Sequence, residues 1–241
     1  MLARLAILGA LAAGPALAQA VPPPPGPGPE IAAQVPRCAP RTVVALTIRN
    51  ITPGLAAADP RAQPKQFWRL GAEFLRSVEQ PMPPGGDQAL TIIAEPEVWT
   101  INLANRVGRH TKDQGPVLEV RAPIPPLGAP RAFMDLEYGC ELEFVTVRAP
   151  TPQRTLRWGA IDAGLHTYVV GDDSLAILMD DQRGEPLMIS YVRQGKPVLV
   201  IRYDAYKRGL PDQPDLFRPP ADVTISDAKA GPPPRQPTPL D

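Results

Sequence analysis

Apolar residues alternate with polar ones over most of the chain beyond residue 40, and short turn-forming segments separate these runs. The clearest case is residues 175–223, where three apolar runs are joined by Asp-Asp-Gln-Arg-Gly and Gln-Gly-Lys. Alternation at period two, broken by short polar connections, predicts consecutive antiparallel strands. We interpret this stretch as a β-meander with strands at residues 175–179, 187–192 and 197–206.

The same pattern predicts further strands before the meander. In residues 66–79, Trp68, Leu70 and Phe74 alternate with polar side chains. Phe67, Leu70, Phe74 and Val78 would also suit one face of a helix, but the alternation favours a half-buried strand. The remaining predicted strands are residues 41–51, residues 88–94, the segment that begins at Pro96, residues 154–158 and residues 164–170.

One segment predicts a helix. Residues 131–147 place Phe133, Leu136, Cys140 and Phe144 at spacings of three and four, although an internal glycine and a β-branched end weaken the pattern. Strands joined by short polar connections favour an antiparallel sheet, because parallel strands need long crossovers. We therefore predict a β-rich α+β fold, a curved antiparallel sheet with one or few covering helices.

Proline divides the chain into a core and two flanking segments. Many of the 34 prolines lie in the first quarter and in the last ten positions. Residues 21–40 include PPPPGPGP, a composition typical of an extended arm. Residues 227–241 have the composition of a disordered Pro-rich tail. The folded domain is therefore predicted to span residues 41–226.

Residues 1–20 have the layout of a secretory signal peptide. Arg4 precedes an apolar run, and small residues follow it in Ala-Leu-Ala and Ala-Gln-Ala. Cleavage is predicted after Ala18 or Ala20. We expect the mature protein to be periplasmic or secreted and to lack a transmembrane segment, because the apolar run is too short to span a bilayer.

The two cysteines, Cys38 and Cys140, favour a disulfide, since the count is even and the predicted compartment is oxidising. Closing so long a loop would stabilise the fold by about 4 to 5 kcal/mol in the chain-entropy model. A redox role is not indicated, because the chain has no C-x-x-C spacing. The bridge would join the proline-rich arm to the middle of the domain.

Charge and motif content argue against several classes of function. Twenty-five basic and 25 acidic residues cancel, so the concentrated positive face that nucleic acid requires is not expected. His110 and His166 lack further ligands at metal-binding spacing, and we interpret His166 as a surface or rim side chain. We therefore expect no metal and no cofactor.

Catalytic motifs are not evident either. The sequence has no G-x-S-x-G element and no phosphate-binding glycine loop. The carboxylate pairs at residues 172–173 and 180–181 fall where the meander needs turns, so we assign them a structural role. We expect a protein that is not an enzyme.

The apolar residues exceed what one face of a sheet needs, which raises the question of what covers them. One interpretation is a ligand cavity on the concave side of the sheet. In the other, the arm, the helix and the loops fill this space completely. The residues predicted to line the cavity are Trp68, Leu70, Phe74, Trp99, Ile101 and Trp158.

Three segments, PEVWTINL, LAILMDDQRGEPLMISYV and DLFRPPADV, together with the order of the predicted elements, resemble the LolA/LolB-like superfamily of periplasmic lipoprotein carriers. The resemblance covers residues 41–225. It implies an incomplete antiparallel barrel that is capped by helices and holds acyl chains. On this basis we expect a soluble exported protein that binds a lipid or another apolar ligand, such as a carrier in the bacterial envelope. The alternative is a non-catalytic structural or protein-interaction module with an envelope protein as partner.

Overall fold

The computed structural model describes residues 35–79, 86–115, 118–148 and 151–227, all within one compact unit, Ile31–Asp241. The predicted signal peptide, most of the predicted arm and all but the first residue of the predicted tail lie outside the described residues. Twelve strands form one sheet in the described part of the chain. Their bounds are β1 Val43–Asn50, β2 Lys65–Leu70, β3 Phe74–Glu79, β4 Ala89–Ala94, β5 Glu97–Asn102, β6 Val107–Lys112, β7 Arg154–Trp158, β8 Ile161–Val170, β9 Asp173–Asp180, β10 Glu185–Arg193, β11 Lys196–Leu210 and β12 Thr224–Asp227.

The order of strands across the sheet is β12-β6-β5-β4-β3-β2-β1-β11-β10-β9-β8-β7. Strands β1 to β6 lie side by side in chain order and form one meander, and strands β7 to β11 form a second. The two meanders join where β1 pairs with β11. The sheet is curved and does not close, because β12 and β7 are its two edges. Every pair is antiparallel except β12 with β6, which is parallel. The prediction of an antiparallel, unclosed sheet is confirmed except at β12, a strand that the sequence pattern did not predict and that pairs in parallel.

Two predicted elements differ from what the structure shows. The predicted strand at residues 66–79 is two strands, β2 and β3, which reverse at Gly71 with φ 59°. The predicted helix at residues 131–147 is a single 3-10 turn, Arg131–Phe133, and a separate eight-residue α-helix, α1 Glu141–Arg148. Gly139 separates them, since its φ of 89° is incompatible with a continuous right-handed helix. With one short helix among the described residues, the α+β class is matched only in part.

Two apolar cores lie on opposite faces of the sheet. In the register of β1 with β2, Leu46 pairs with Phe67 and Ala45 pairs with Trp68, so Phe67 and Trp68 face opposite sides. The first core contains Leu46 and is covered by α1 and by residues 122–138; we refer to this side as the helix face. The second contains Trp68 and is covered by Phe217 and its neighbours; we refer to this side as the strap face.

The predicted disulfide is confirmed. Cys38 and Cys140 are bonded, with Cα atoms 5.6 Å apart and a sequence separation of 102. Beside the bond lies Arg69, which is only 2 % exposed. Its guanidinium donates to the carboxylate of Glu137 at 2.8 Å and to the carbonyl oxygens of Cys38 and Val120 at 3.1 and 2.8 Å. This buried ion pair ties the segment before β1 to the long connection before α1.

Candidate functional site

The strap face is covered by a segment that follows β11. We refer to residues 211–227 as the strap; it contains a short 3-10 helix, Pro214–Phe217, and ends in β12. Phe217 is 4 % exposed and its ring lies 5.3 Å from that of Phe74 in β3. The Arg76 guanidinium donates to the Leu216 carbonyl oxygen at 3.1 Å. These contacts hold the middle of the strap against β3 and β4.

A cavity of about 360 Å³ remains between the strap and the sheet. This volume is within the range of roughly 300 to 1,000 Å³ that is typical of small-molecule sites. Strands β2 to β5 supply one wall and the strap supplies the other. The lining residues are Leu70, Phe74, Ala94, Glu97, Trp99, Asp212, Pro214, Phe217 and Arg218.

The polar lining residues come from both walls. Glu97 belongs to the sheet, whereas Asp212 and Arg218 belong to the strap. Arg218 also forms a loose ion pair with Asp215, with an N to O distance of 3.7 Å. The apolar lining can accommodate a hydrophobic group, and both signs of charge are available for a polar part of a ligand. Such a combination of apolar walls with a few placed charges is common in ligand sites.

His110 connects the cavity wall to the end of the strap. Its ring stacks on Trp99 with centroids 5.3 Å apart. The Nε2 atom lies 2.5 Å from Oε2 of Glu97, and the Nδ1 atom lies 2.8 Å from Oδ1 of Asp227 in β12. Hydrogen bonds to Asp227 and then to Glu97 raise the pKa of His110 above its ordinary value. The residue therefore bridges β5, β6 and β12.

The structure brings part of the predicted cavity lining together. Leu70, Phe74 and Trp99 line the cavity. Ile101 is fully buried in the second core, and Trp68 packs at the edge of that core with the Arg76 guanidinium 5.8 Å from its ring centroid. These five predicted residues thus share the strap face.

Trp158 lies elsewhere. It is in β7, six strand positions from β2 across the sheet, which is about 29 Å along the sheet at ~4.8 Å per strand. The alternation of Trp158 with polar neighbours is the same as for Trp99, so the sequence pattern contains no information about which strand pairs with which. The structure does not bring Trp158 to the cavity.

The carboxylates of the meander have structural partners. Asp180 accepts from the backbone N–H groups of Gln182 and Arg183 at 3.1 and 3.2 Å, as expected for a turn. Asp173 accepts from the hydroxyl of Tyr191 at 2.8 Å.

The expectation for His166 was wrong. This side chain is not at the surface: it is 1 % exposed, and its Nε2 atom lies 3.0 Å from Oδ1 of Asp181. The turn after β9 places the Asp181 carboxylate over Gly164, so the histidine is buried beneath a polar partner. The sequence showed only an alternating strand and did not show what covers it.

Sequence reasoning missed the strap as a wall of the site. Asp212, Pro214, Phe217 and Arg218 lie between β11 and β12, in a stretch whose prolines suggest a connection. The available signal was Phe217, an aromatic residue between prolines, because a loop that only connects strands rarely contains a large apolar side chain that must be buried. Among the described residues, no group of three or more potential metal ligands comes together.

Comparisons with known proteins give low similarity. No known protein family and no curated protein matches the chain. An uncharacterized conserved protein from Thermus thermophilus is 13 % identical over 78 % of this chain and 91 % of its own, with a TM-score of 0.46. MucB, solved in complex with MucA(peri), is 11 % identical over 77 % of this chain and 57 % of its own, with a TM-score of 0.39.

A third solved structure, that of PNGF-II, is matched over a smaller part of its length. It is 13 % identical over 78 % of this chain and 32 % of its own, with a TM-score of 0.31. At these scores the neighbours assign neither a family nor a function to this chain. The resemblance to the LolA/LolB-like superfamily accordingly stays a prediction, and the observed unclosed sheet is compatible with it.

Two further features bear on the compartment. The disulfide is typical of proteins in oxidising compartments, which agrees with the predicted export. In the described part of the chain, no helix has the length and apolar character needed to cross a bilayer. The predicted signal peptide lies outside the described residues.

Proposed function

We propose that this protein binds a lipid or another apolar ligand in the cavity between the strap and β2 to β5, as a non-catalytic binding protein of the bacterial envelope. The observation that carries the proposal is the cavity of about 360 Å³ with its apolar lining. The space is a partly open groove and not an enclosed void, so a ligand can reach its apolar walls. Here Phe74 and Trp99 are only partly buried beside it.

The lining suits a ligand that is apolar along most of its length. Leu70, Phe74, Ala94 and Phe217 present hydrocarbon and aromatic surface on both walls. Burial of such surface contributes about 25 cal/mol per Å². Glu97 and Arg218 offer a carboxylate and a guanidinium to a polar group of the ligand, and a few charged groups among apolar walls are usual in small-molecule sites.

Binding is tested by filling the cavity. Ala94→Phe places a ring in the space beside Phe74 without removing any core side chain, so it should weaken uptake of a fluorescent fatty-acid probe. Losing about 60 Å² of apolar contact costs about 1.5 kcal/mol, which is about tenfold in Kd. Ala205→Phe is the matched control, since Ala205 is exposed in β11 and does not line the cavity. Trp99→Asp should weaken binding further, because an unpaired carboxylate is costly to bury.

Native mass spectrometry of the purified mature protein provides an independent test, with gentle and then denaturing desorption. Bound lipid in the gentle spectrum supports the proposal. The absence of any bound lipid, together with no uptake of the probe, would exclude it. In this proposal the protein has no catalytic role, so a serine-directed activity probe is expected to leave it unlabelled.

A second candidate function, a protein-interaction module, is favoured by exposed apolar side chains at one end of the sheet. The Ile51 N–H bonds to the Val200 carbonyl oxygen at 2.8 Å, and Arg193 donates to the Gly128 carbonyl oxygen at 2.7 Å, which brings the connections at this end together. The exposed residues there are Ile51, Leu127, Val169, Val170 and Val198.

This second candidate is tested by site-specific cross-linking in the envelope. A photo-crosslinking residue at Leu127, which is 94 % exposed, should capture one defined protein. The same residue at the exposed Arg157, in the edge strand β7, should not. Equal capture at both positions, or none, would contradict an interaction surface at this end of the sheet.

A further inference from the structure

The position of the strap determines the width of the cavity. Four lining residues, Asp212, Pro214, Phe217 and Arg218, belong to the strap and the other five belong to the sheet. Any movement of the strap away from the sheet therefore separates the two walls. A ligand that occupies the space between them must enter past the strap or move it.

The far end of the strap is held by few interactions. Strand β12 has four residues, and of these only Ile225 is partly buried. It is an edge strand, and its partner is β6 alone. The Thr224 N–H donates to the Arg106 carbonyl oxygen at 2.9 Å, Arg106 pairs with Asp222, and the Ser226 hydroxyl donates to the Gly108 carbonyl oxygen at 3.3 Å. Short, exposed elements of this kind open at lower free energy than the core of a sheet.

Besides the backbone pairing of β12 with β6 and the packing of Ile225 on the second core, β12 is attached by the contact of His110 with Asp227. The geometry of this contact requires a proton. Both ring nitrogens of His110 lie within hydrogen-bond distance of a carboxylate oxygen, at 2.5 Å for Glu97 and 2.8 Å for Asp227. An ionised carboxylate only accepts hydrogen bonds, and a neutral imidazole donates only one. The imidazolium is thus the form that satisfies both contacts. When the ring loses a proton, one carboxylate faces a lone pair.

We propose that His110 is a proton-operated latch: as the imidazolium it holds β12 and the end of the strap against β6, and on losing its proton it releases the strap and opens the cavity. The consequence for ligand uptake rests on the proposed function, whereas the latch itself does not. The direction follows from the contacts, because protonation adds an attraction to β12 and its loss replaces that attraction with a repulsion. The strap is closed at low pH and opens as the pH rises.

The charges around His110 are consistent with its being the group that titrates. Lys112, next on the same face of β6, lies 3.6 Å from Glu97. Asp212 and Arg218 line the same cavity from the strap. Glu97 and Asp227 are the two carboxylate partners of His110. Carboxylates titrate near pH 4 and lysine and arginine above pH 10. Between pH 5.5 and 9, His110 is therefore the switching group in this cluster.

The latch is tested by hydrogen exchange and mass spectrometry on the ligand-free protein between pH 5.5 and 9. Exchange in peptides that cover residues 212–227 is divided by the intrinsic rate at each pH. Protection of the strap should fall by about two- to fivefold across this range, the size expected for an ion pair whose Asp227 side chain is 88 % exposed. Peptides from β9 and β10 serve as the internal reference and should not change.

Two variants separate the latch from a merely structural role. His110→Gln cannot titrate, so its strap protection should be lower than wild type at pH 5.5 and should not change with pH. Asp222→Asn breaks the Arg106 contact elsewhere on the strap. It should lower protection while leaving the pH dependence intact. Unchanged protection in the wild type, or a wild-type pH dependence in His110→Gln, would overturn the latch.

Uptake of the fluorescent fatty-acid probe by stopped flow then distinguishes the two proposals. An uptake rate that rises with pH in the wild type and stays constant in His110→Gln supports both. Strap exchange that depends on pH without any uptake of the probe upholds the latch and rejects the proposed ligand. Uptake at a rate independent of pH, with flat strap exchange, upholds the ligand site and rejects the latch.

Discussion

Removal of the Arg69 side chain should be among the most destabilising single changes in this protein. Arg69→Met leaves the Glu137 carboxylate, 2 % exposed, without its closest buried cation. Breaking a buried ion pair costs about 3 to 5 kcal/mol. Glu137 keeps the Arg121 guanidinium at 2.8 Å and the Ala122 N–H at 3.0 Å, which limits the loss at the carboxylate. We expect about 3 kcal/mol from this pair.

The backbone contacts of Arg69 add to that figure. The carbonyl oxygens of Cys38 and Val120 lose their guanidinium donor, and an unsatisfied buried acceptor costs about 1 to 3 kcal/mol. These terms overlap, because relaxation or water entry would restore some of the bonds. The total for Arg69→Met is about 4 kcal/mol, a large share of the stability of a typical domain at roughly 5 to 15 kcal/mol.

The assay is equilibrium urea unfolding at pH 7 with the disulfide intact, followed by circular dichroism. Arg157→Met is the matched control, since Arg157 is 63 % exposed and pairs with an exposed Asp162. Its cost should stay within about 0.5 kcal/mol. Arg69→Met/Glu137→Met should recover part of the loss, because no charge is then left unpaired in the core. A cost below about 1 kcal/mol for Arg69→Met, or a double variant whose cost equals the sum of the single variants, would refute the reasoning.

Two further predictions concern the same region. Replacing both Cys38 and Cys140 by Ser should lower the free energy of unfolding by about 4 to 5 kcal/mol, because the chain-entropy contribution increases with loop length and the sequence separation here is 102. An unchanged urea midpoint would contradict this. Glu141 accepts hydrogen bonds from Tyr203 and Tyr206, and burial raises its pKa in the folded protein. Wild-type stability should therefore fall as the pH rises from the ordinary carboxyl pKa of about 4.3 through the raised pKa of the folded state. Glu141→Gln should remove that fall, so in thermal melts the stability of the variant relative to wild type should increase between pH 4 and pH 8. An equal stability difference between variant and wild type at both pH values would show that the carboxyl group does not titrate in this range.

The pattern of apolar and polar residues predicted the strands well. Residues 154–158 were predicted as a strand, and β7 spans Arg154–Trp158. The meander of residues 175–223 gave β9, β10 and β11 in the expected order and pairing. These elements have short turns, so their pairing is local and can be read from neighbouring residues.

The sequence pattern predicted the burial of polar side chains poorly on strands that are covered on both faces. Arg69 alternates with Trp68 and Leu70, and alternation favours a strand with one polar, open side. In the structure the side chain of Arg69 is enclosed by the connection before α1 and by the segment at Cys38. His166 was misjudged for the same reason. A polar residue on a strand is exposed only when no distant segment covers it.

By itself, the sequence determined the strand-rich class, the antiparallel meanders, the disulfide and the apolar character of the residues at the candidate site, because these depend on local alternation, turn chemistry and composition. Only the tertiary structure decided that the two cores lie on opposite faces, that a proline-bearing strap forms a wall of the cavity, and that His110 meets Glu97 and Asp227. The parallel pairing of β12 with β6 joins residues more than 110 positions apart. Contacts between segments so distant depend on how the whole sheet is assembled, and no local pattern specifies them.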